Sequence, residues 1–202
     1  MKIGLFGGSF DPIHWGHIRP VLEALEELGL ERVVYLPTGL PPHKPDRRLA
    51  PALARYAMTE LAVLAFERLW VSGLELSETA PSYTVDTLLH FRREYPGDKL
   101  HLLIGADSLQ ELRSWHRFEE ILETADVAVL ARPGATLAAR REDAGALPPT
   151  ALVPARIRLV ANRPLDISST EVRRCLARGE RPPAGWVPDP VVDFALKYRL
   201  YR

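Results

Sequence analysis

Two histidines, His14 and His17, stand three residues apart in "GGSFDPIHWGHIRP", residues 7–20. An imidazole N–H can hydrogen-bond a phosphate oxygen and stabilise charge that develops on it. At this spacing, where a strand gives way to a helix, both rings can face one point, and Gly16 between them leaves that point uncrowded. Gly7 and Gly8 let backbone approach a ligand closely, and the positive end of a helix opening near His17 attracts phosphate. The loop matches neither GxGxxG nor GxxxxGK[ST]. On the residues alone, two other readings stay open. The histidines could cap a turn beside the Asp11-Pro12 dipeptide, or they could ligate zinc, which needs a third and usually a fourth ligand. Neither a cysteine nor a placed acidic cluster accompanies them, so no metal ligand is assigned.

A second polar cluster, "ISSTEVRR" (residues 167–174), reads as a helix start. Ser168, Ser169 and Thr170 offer capping hydroxyls, Glu171 suits the first turn and Arg173 lies one turn in. A capped helix end with an arginine one turn along is equally an anion site.

The elements that must carry these clusters follow from periodicity. Strands are expected at residues 2–6, 32–37, 70–76, 100–106 and 156–161, with a strand and its breaker in "DVAVLARPG" (residues 126–134), and helices from residue 18 to Gly29, over 52–69 and 84–95, from residue 107 onward, and over 118–125, 169–177 and 190–199. Strands and helices alternate about six times, which predicts a doubly wound parallel sheet with helices on both faces, a Rossmann-like α/β fold. "LHLLI" and "VAVLA" lack period-two alternation, as strands covered on both faces do. In such a fold ligands gather at the carboxyl ends of strands, and the polar and glycine residues fall there. The proline-rich 38–51 stretch reads as a loop, and 136–154, rich in Ala, Pro and Arg, reads as a mobile connection. One domain over 1–202 is expected, with 162–202 a C-terminal helical portion.

Twenty-six basic and 26 acidic residues cancel among 202, and no aromatic-basic interleaving occurs, which argues against a nucleic-acid binder. No segment has the length and apolarity of a membrane span, the N-terminus lacks a signal-peptide core, and the single cysteine, Cys175, suits a reducing compartment. A cytoplasmic location follows as the expectation. Arginine outnumbers lysine 22 to 4, and one Asn and one Gln accompany 18 prolines. Heat adaptation and a GC-rich genome both produce that usage.

"GGSFDPIHWGH" resembles the nucleotide-binding signature of the nucleotidylyltransferase superfamily, [HT]xGH, here His14-Trp15-Gly16-His17. "ISSTEVRR" resembles its second signature, ISSTxIR, with Val172 in place of Ile. The segments "LPTGLPPHK", "SYTVDTL", "GADSLQELRSW" and "VLARPG" narrow the likeness to the bacterial nicotinate-nucleotide adenylyltransferase family over nearly the whole chain. The resemblance implies a Rossmann-like fold, ATP and nicotinate mononucleotide as substrates, Mg²⁺ with the ATP, and deamido-NAD and pyrophosphate as products. It leaves a homo-oligomer open.

Roles implied by the resemblance follow residue by residue. His14, His17, Lys44 and Arg173 act on phosphates. Gly7, Gly8, Ser9, Phe10, Gly105, Asp107, Ile167, Ser168, Ser169 and Thr170 join them around ATP. Ser9, Lys44, Tyr83, Thr84, Trp115 and Arg132 meet the mononucleotide, with Trp115 stacking on the pyridine ring and its carboxylate on amides near Tyr83 and Thr84. Taken alone, Lys44 is a solvated lysine, Trp115 a core residue, and Asp107 either a ribose acceptor or a helix N-cap. His116 departs from the family's usual residue. Nicotinamide mononucleotide, other adenylyl or cytidylyl acceptors, and a non-catalytic nucleotide sensor are the alternatives.

Overall fold

The computed structural model describes residues 1–39, 49–77, 82–131, 156–163 and 165–202; Lys44, Arg132 and the 136–154 connection lie outside these. Among the described residues the elements run β1 (Lys2–Gly8), α1 (Trp15–Leu28), β2 (Arg32–Pro37), α2 (Ala52–Val63), β3 (Leu69–Val71), α3 (Thr84–Glu94) and β4 (Lys99–Gly105). They continue through α4 (Ala106–Glu111), α5 (Phe118–Thr124), β5 (Asp126–Leu130), β6 (Ile157–Leu159), α6 (Ser169–Ala177) and α7 (Asp189–Lys197). The strands form a six-stranded sheet in the order β3-β2-β1-β4-β5-β6. Strand order reverses direction between β1 and β4, as in the doubly wound α/β fold that the alternation predicts.

The chain divides into two compact units. One comprises Met1–Gly7, Pro20–Val33 and Tyr83–Pro164. Here β1, β4, β5 and β6 pair in parallel, with Ile3 beside Leu100, Leu5 beside Leu102, and Leu102 beside Val127. All these side chains are buried. Helix α3 turns Val85, Leu88 and Phe91 inward at a spacing of three, and α5 packs on it through a face that buries Phe118, Ile121 and Leu122. Gly4 is required by close approach, since a Cβ there would lie 2.9 Å from methyls of Leu30 and Val33. Gly29, at φ +63°, ends α1, and the Leu30 amide reaches back to the Leu25 carbonyl at 2.9 Å in a Schellman closure.

The other unit comprises Gly8–Arg19, Val34–Ser82 and Leu165–Arg202. Helix α2 buries Met58, Ala62 and Val63 and packs on α7, which buries Val191, Val192 and Ala195. Helix α6 also packs on α7.

Three boundaries depart furthest from periodicity, while β6 (Ile157–Leu159) is also shorter than the expected 156–161. Helix α1 opens at Trp15 rather than residue 18, because the His14 carbonyl already accepts from His17 and Ile18 at 2.8 and 3.3 Å. Gly16 and His17 therefore sit in its first turn. Helix α2 stops at Val63, short of residue 69, where Phe66 bonds back to Val63 at 2.8 Å and Leu69 to Phe66 at 3.0 Å in successive tight turns. Strand β3 stops at Val71, short of residue 76, because Gly73 opens a turn closed by the Leu76 amide at 3.1 Å.

Strand β4 buries one titratable group, His101, 7% exposed, whose Nε2 lacks a hydrogen-bond partner among the described residues. Burial pushes the imidazole below its ordinary 6.5, against an upward pull from the neighbouring Asp126 carboxylate. The unfolded chain then binds a proton near 6.5 that the folded chain refuses, so stability is intact above that pH and is lost as pH falls below it. Between about pH 7 and about pH 5.5 the denaturation midpoint of His101→Leu is expected to fall less than that of the parent. Equal falls would rule His101 out as a cause.

Candidate active site

The loop between β1 and α1 sets the two imidazoles by main-chain donation. Gly16 N–H donates to His14 Nδ1 at 3.1 Å, and His14 N–H donates to His17 Nδ1 at 3.3 Å. A ring nitrogen that accepts carries no proton, so in each neutral ring the proton sits on Nε2. Both rings thus turn a donor edge away from the backbone that holds them. Their centroids lie 3.8 Å apart at 32°. Gly16 is demanded by this packing, because a Cβ there would press on His14 Nδ1 and Cε1 at 2.9 Å.

Phe10, buried and at φ +43°, meets the His17 ring edge-on at 5.4 Å and the Tyr35 ring at 5.5 Å. Its side chain belongs to the packing behind His17. Gly8 follows from that, since a Cβ there would touch the Phe10 ring at 2.9 Å, whereas a Cβ at Gly7 would meet nothing within 4 Å. Tyr35 is buried, burial pushes its phenol up, and its hydroxyl donates to the His17 carbonyl at 3.4 Å.

The two signatures meet. Ser168 caps α6 by accepting from the Thr170 amide at 3.2 Å, the local role its residue type suggests. Ser169 Oγ donates to the Pro12 carbonyl at 3.3 Å, and Arg173 Nη1 to the Asp11 carbonyl at 2.7 Å. Arg173 Nη2 donates to Thr170 Oγ1 at 3.0 Å. The first turn of α6 is therefore docked on the two residues that precede Ile13 and His14. Ile167, just upstream, donates its amide to Leu165 at 3.0 Å, and the Leu165 carbonyl lies 3.6 Å from where a Gly16 Cβ would stand.

Pattern reading misses the groups that hold this loop. Arg55 of α2, 1% exposed, donates Nη1 to Ser9 O at 2.7 Å, Nε to Ala50 O at 2.9 Å and Nη2 to Gly39 O at 3.2 Å. One buried cation thus ties the segments that follow β1 and β2 to the entrance of α2. The available signal was its place on the inward face of α2 with Met58, Thr59 and Ala62. Gly39 admits no side chain, because a Cβ would fall 2.0 Å from the Ser77 carbonyl oxygen. Asp11, also missed, is buried, and its Oδ1 accepts from Ala50 N–H at 3.2 Å and the Tyr201 hydroxyl at 3.0 Å.

Tyr83, Thr84, Gly105, Asp107 and Trp115 lie in the first unit. Gly105 ends β4 and is the N-cap of α4, so Asp107 is an exposed first-turn residue; the N-cap alternative is thereby corrected. Thr84 begins α3 after Tyr83, whose carbonyl accepts from Asp86 and Thr87 at 3.0 and 3.3 Å. Trp115 follows the short 3₁₀ turn Leu112–Ser114 and keeps its indole N–H buried without a hydrogen-bond partner among the described residues. His116 lies over the Tyr83 ring at 4.6 Å, and Arg117 reaches Asp86 at 3.4 Å. Among the described residues, no group of three or more His, Cys, Asp or Glu side chains could hold a metal ion. No described helix is long and apolar enough to cross a membrane.

Comparison with known proteins adds three findings. Residues 5–175 match the cytidylyltransferase-like family. The chain is 45% identical over 202 residues, 100% of both chains, to a Thermus thermophilus protein named "Probable nicotinate-nucleotide adenylyltransferase", and 42% identical to a Pseudomonas putida protein of the same name, covering 100% of this chain and 95% of that one. A Plasmodium falciparum nicotinic acid mononucleotide adenylyltransferase, solved with NaAD, matches with a TM-score of 0.77 at 20% identity over 99% of this chain and 97% of its own, a likeness of fold.

The tautomers are directly observable. At neutral pH, long-range ¹H–¹⁵N spectra are expected to report an acceptor Nδ1 and a protonated Nε2 for both His14 and His17, and Gly16→Ala is expected to disturb the His14 pattern first. Protonation at Nδ1 of either ring would contradict the donor arrangement.

Proposed function

We propose that this chain, which belongs to the nicotinate-nucleotide adenylyltransferase family of cytidylyltransferase-like nucleotidyltransferases, transfers the adenylyl group of ATP to nicotinate mononucleotide. The products are deamido-NAD and pyrophosphate, a step of NAD biosynthesis. The observation that carries this reading is the docking of Ser169 and Arg173 on Pro12 and Asp11, which joins the imidazole loop to a helix N-terminus and a guanidinium. Donors of that kind suit a triphosphate.

A phosphate oxygen of the mononucleotide attacks the α-phosphorus of ATP, a new P–O bond forms, and the bond from the α-phosphorus to the bridging oxygen breaks. That oxygen leaves with the pyrophosphate. The nucleophile is already ionised at neutral pH, so no strong base is needed, and positioning with charge stabilisation carries the rate. His14 and His17 direct Nε2–H donors at phosphate oxygens, and Arg173 with the first turn of α6 holds the β- and γ-phosphates. Ile167, Ser168, Ser169 and Thr170 shape that end of the nucleotide site, while Gly7, Gly8 and Ser9 let its backbone come close. Phe10 acts from beneath His17, and Gly105 and Asp107 serve the ATP ribose.

Lys44 and Arg132 add positive charge for the substrates. The N-terminus of α3 at Tyr83 and Thr84 suits the pyridine carboxylate, and Trp115 offers its indole face to the ring. The donor set fits a metal carried by the nucleotide rather than caged by the protein, and Mg²⁺ bound to ATP would neutralise charge on the leaving phosphates. A single domain over 1–202 accords with a family match that runs through both units. The location is cytoplasmic, and ATP and nicotinate mononucleotide are the partners, without nucleic acid or membrane.

His17→Ala is expected to reduce turnover by about 10²-fold or more while leaving the fold intact, the size of loss that follows removal of one preorganised donor. Near-parental turnover would remove His17 from the mechanism. Initial rates of pyrophosphate release with nicotinate and nicotinamide mononucleotides test the acceptor. A faster rate with the acid is expected, and preference for the amide would overturn the acceptor assignment; ATP binding with no release from either would point to a sensor.

A further inference from the structure

Arg173 is held from behind by one buried residue. Its Nη1 donates to Asp11 O at 2.7 Å and lies 3.7 Å from Asp11 Oδ2, an oxygen that is buried and accepts no hydrogen bond among the described residues. The other carboxylate oxygen takes two donors, Ala50 N–H at 3.2 Å and the Tyr201 hydroxyl at 3.0 Å. A carboxyl group turns about its bond to Cβ unless its oxygens are pinned. With Oδ1 held on both sides, Oδ2 is left turned toward the guanidinium.

Tyr201 lies just beyond α7, far in sequence from both signatures. Burial first, and the Asp11 charge next, push its phenol up, so the hydroxyl remains a donor throughout the neutral range. The hydroxyl therefore supplies a constant bond to a buried anion, the kind of hydrogen bond whose loss is felt most.

We infer that Tyr201 is a positioning residue for Arg173, acting through Asp11: by fixing Oδ1 it directs Oδ2 at the guanidinium and sets the pose in which Arg173 meets the ATP phosphates. The inference rests on the reading of Arg173 as a phosphate ligand. A purely structural Tyr201 would merely anchor the chain after α7, and its loss would affect both substrates alike.

The test is a double-mutant cycle with Tyr201→Phe and Arg173→Lys in the full chain, reading kcat/KM for ATP, KM for nicotinate mononucleotide and the urea midpoint. Tyr201→Phe keeps the ring and removes only the hydroxyl. It is expected to lower kcat/KM for ATP about tenfold, typical of coupling within one hydrogen-bond network, with KM for the mononucleotide unchanged. In the Arg173→Lys background the same change should cost less than about twofold. An undiminished loss in that background, an equal loss toward both substrates, or no loss would overturn the inference. Should Arg173→Lys itself leave kcat/KM for ATP unchanged, the phosphate role of Arg173 fails, and the positioning role with it. If Tyr201→Phe does not fold, Asp11→Asn replaces it in the cycle: the amide oxygen can keep the Oδ1 bonds while the amide nitrogen faces the guanidinium, and the same selective, Arg173-dependent loss is expected.

Discussion

The site depends on amide hydrogens donated into imidazole rings. The N–H groups of the first turn of any α-helix lack carbonyl partners within the helix, and proteins usually meet them with a capping hydroxyl, carboxylate or water. At the entrance of α1 the caps are the two imidazoles themselves, with Gly16 N–H on His14 Nδ1 and His14 N–H on His17 Nδ1. One set of bonds satisfies the backbone, fixes each tautomer and aims each Nε2–H. Donors fixed before the substrate arrives require no reorganisation when charge develops on a phosphate, which is where such a site derives its rate. The spacing of the motif has the same origin. Gly16 must be glycine because its own amide serves a ring that lies where a Cβ would project.

Two buried charges with opposite tasks hold the loop backbone. Arg55 spends its guanidinium on three main-chain carbonyls, so a cation inside the unit is solvated by peptide dipoles and holds loop backbone that has no ladder of its own. Asp11 offers one carboxylate oxygen to a main-chain amide and a phenol, and turns the other toward Arg173. Burying charge is costly unless each group finds partners, and the gain here is geometric: loop segments that could wander are set by groups with fixed hydrogen-bond directions. Removing either partner would leave the other stranded.

The sheet and the bounds of α6 were legible in the sequence because each rests on a local rule. Uninterrupted apolar runs mark strands covered on both faces, and "SSTEV" places a cap where Ser168 indeed caps. Histidine spacing and the two signatures pointed to the loop and the helix end that Ser169 and Arg173 join. Less could be read where side chains act on main-chain atoms distant in sequence. Nothing in "ALARYAMTE" announces that Arg55 reaches Ser9, Gly39 and Ala50, and nothing in the residues around Tyr201 announces Asp11. Phe10, which the resemblance sets beside ATP, has its ring turned inward at positive φ to pack against His17, a contact with no signal in the loop's composition. Helix α1 began a turn earlier than its apolar stripe because polar caps, which carry no hydrophobic period, open it.

On the proposed function, His14, His17 and Arg173 address one triphosphate. A crystal structure with a non-hydrolysable ATP analogue measures this most directly. Phosphate oxygens are expected within about 3.2 Å of both Nε2 atoms and of the Arg173 guanidinium, the range of a direct hydrogen bond. A triphosphate seated elsewhere, touching neither the imidazoles nor that arginine, would contradict it.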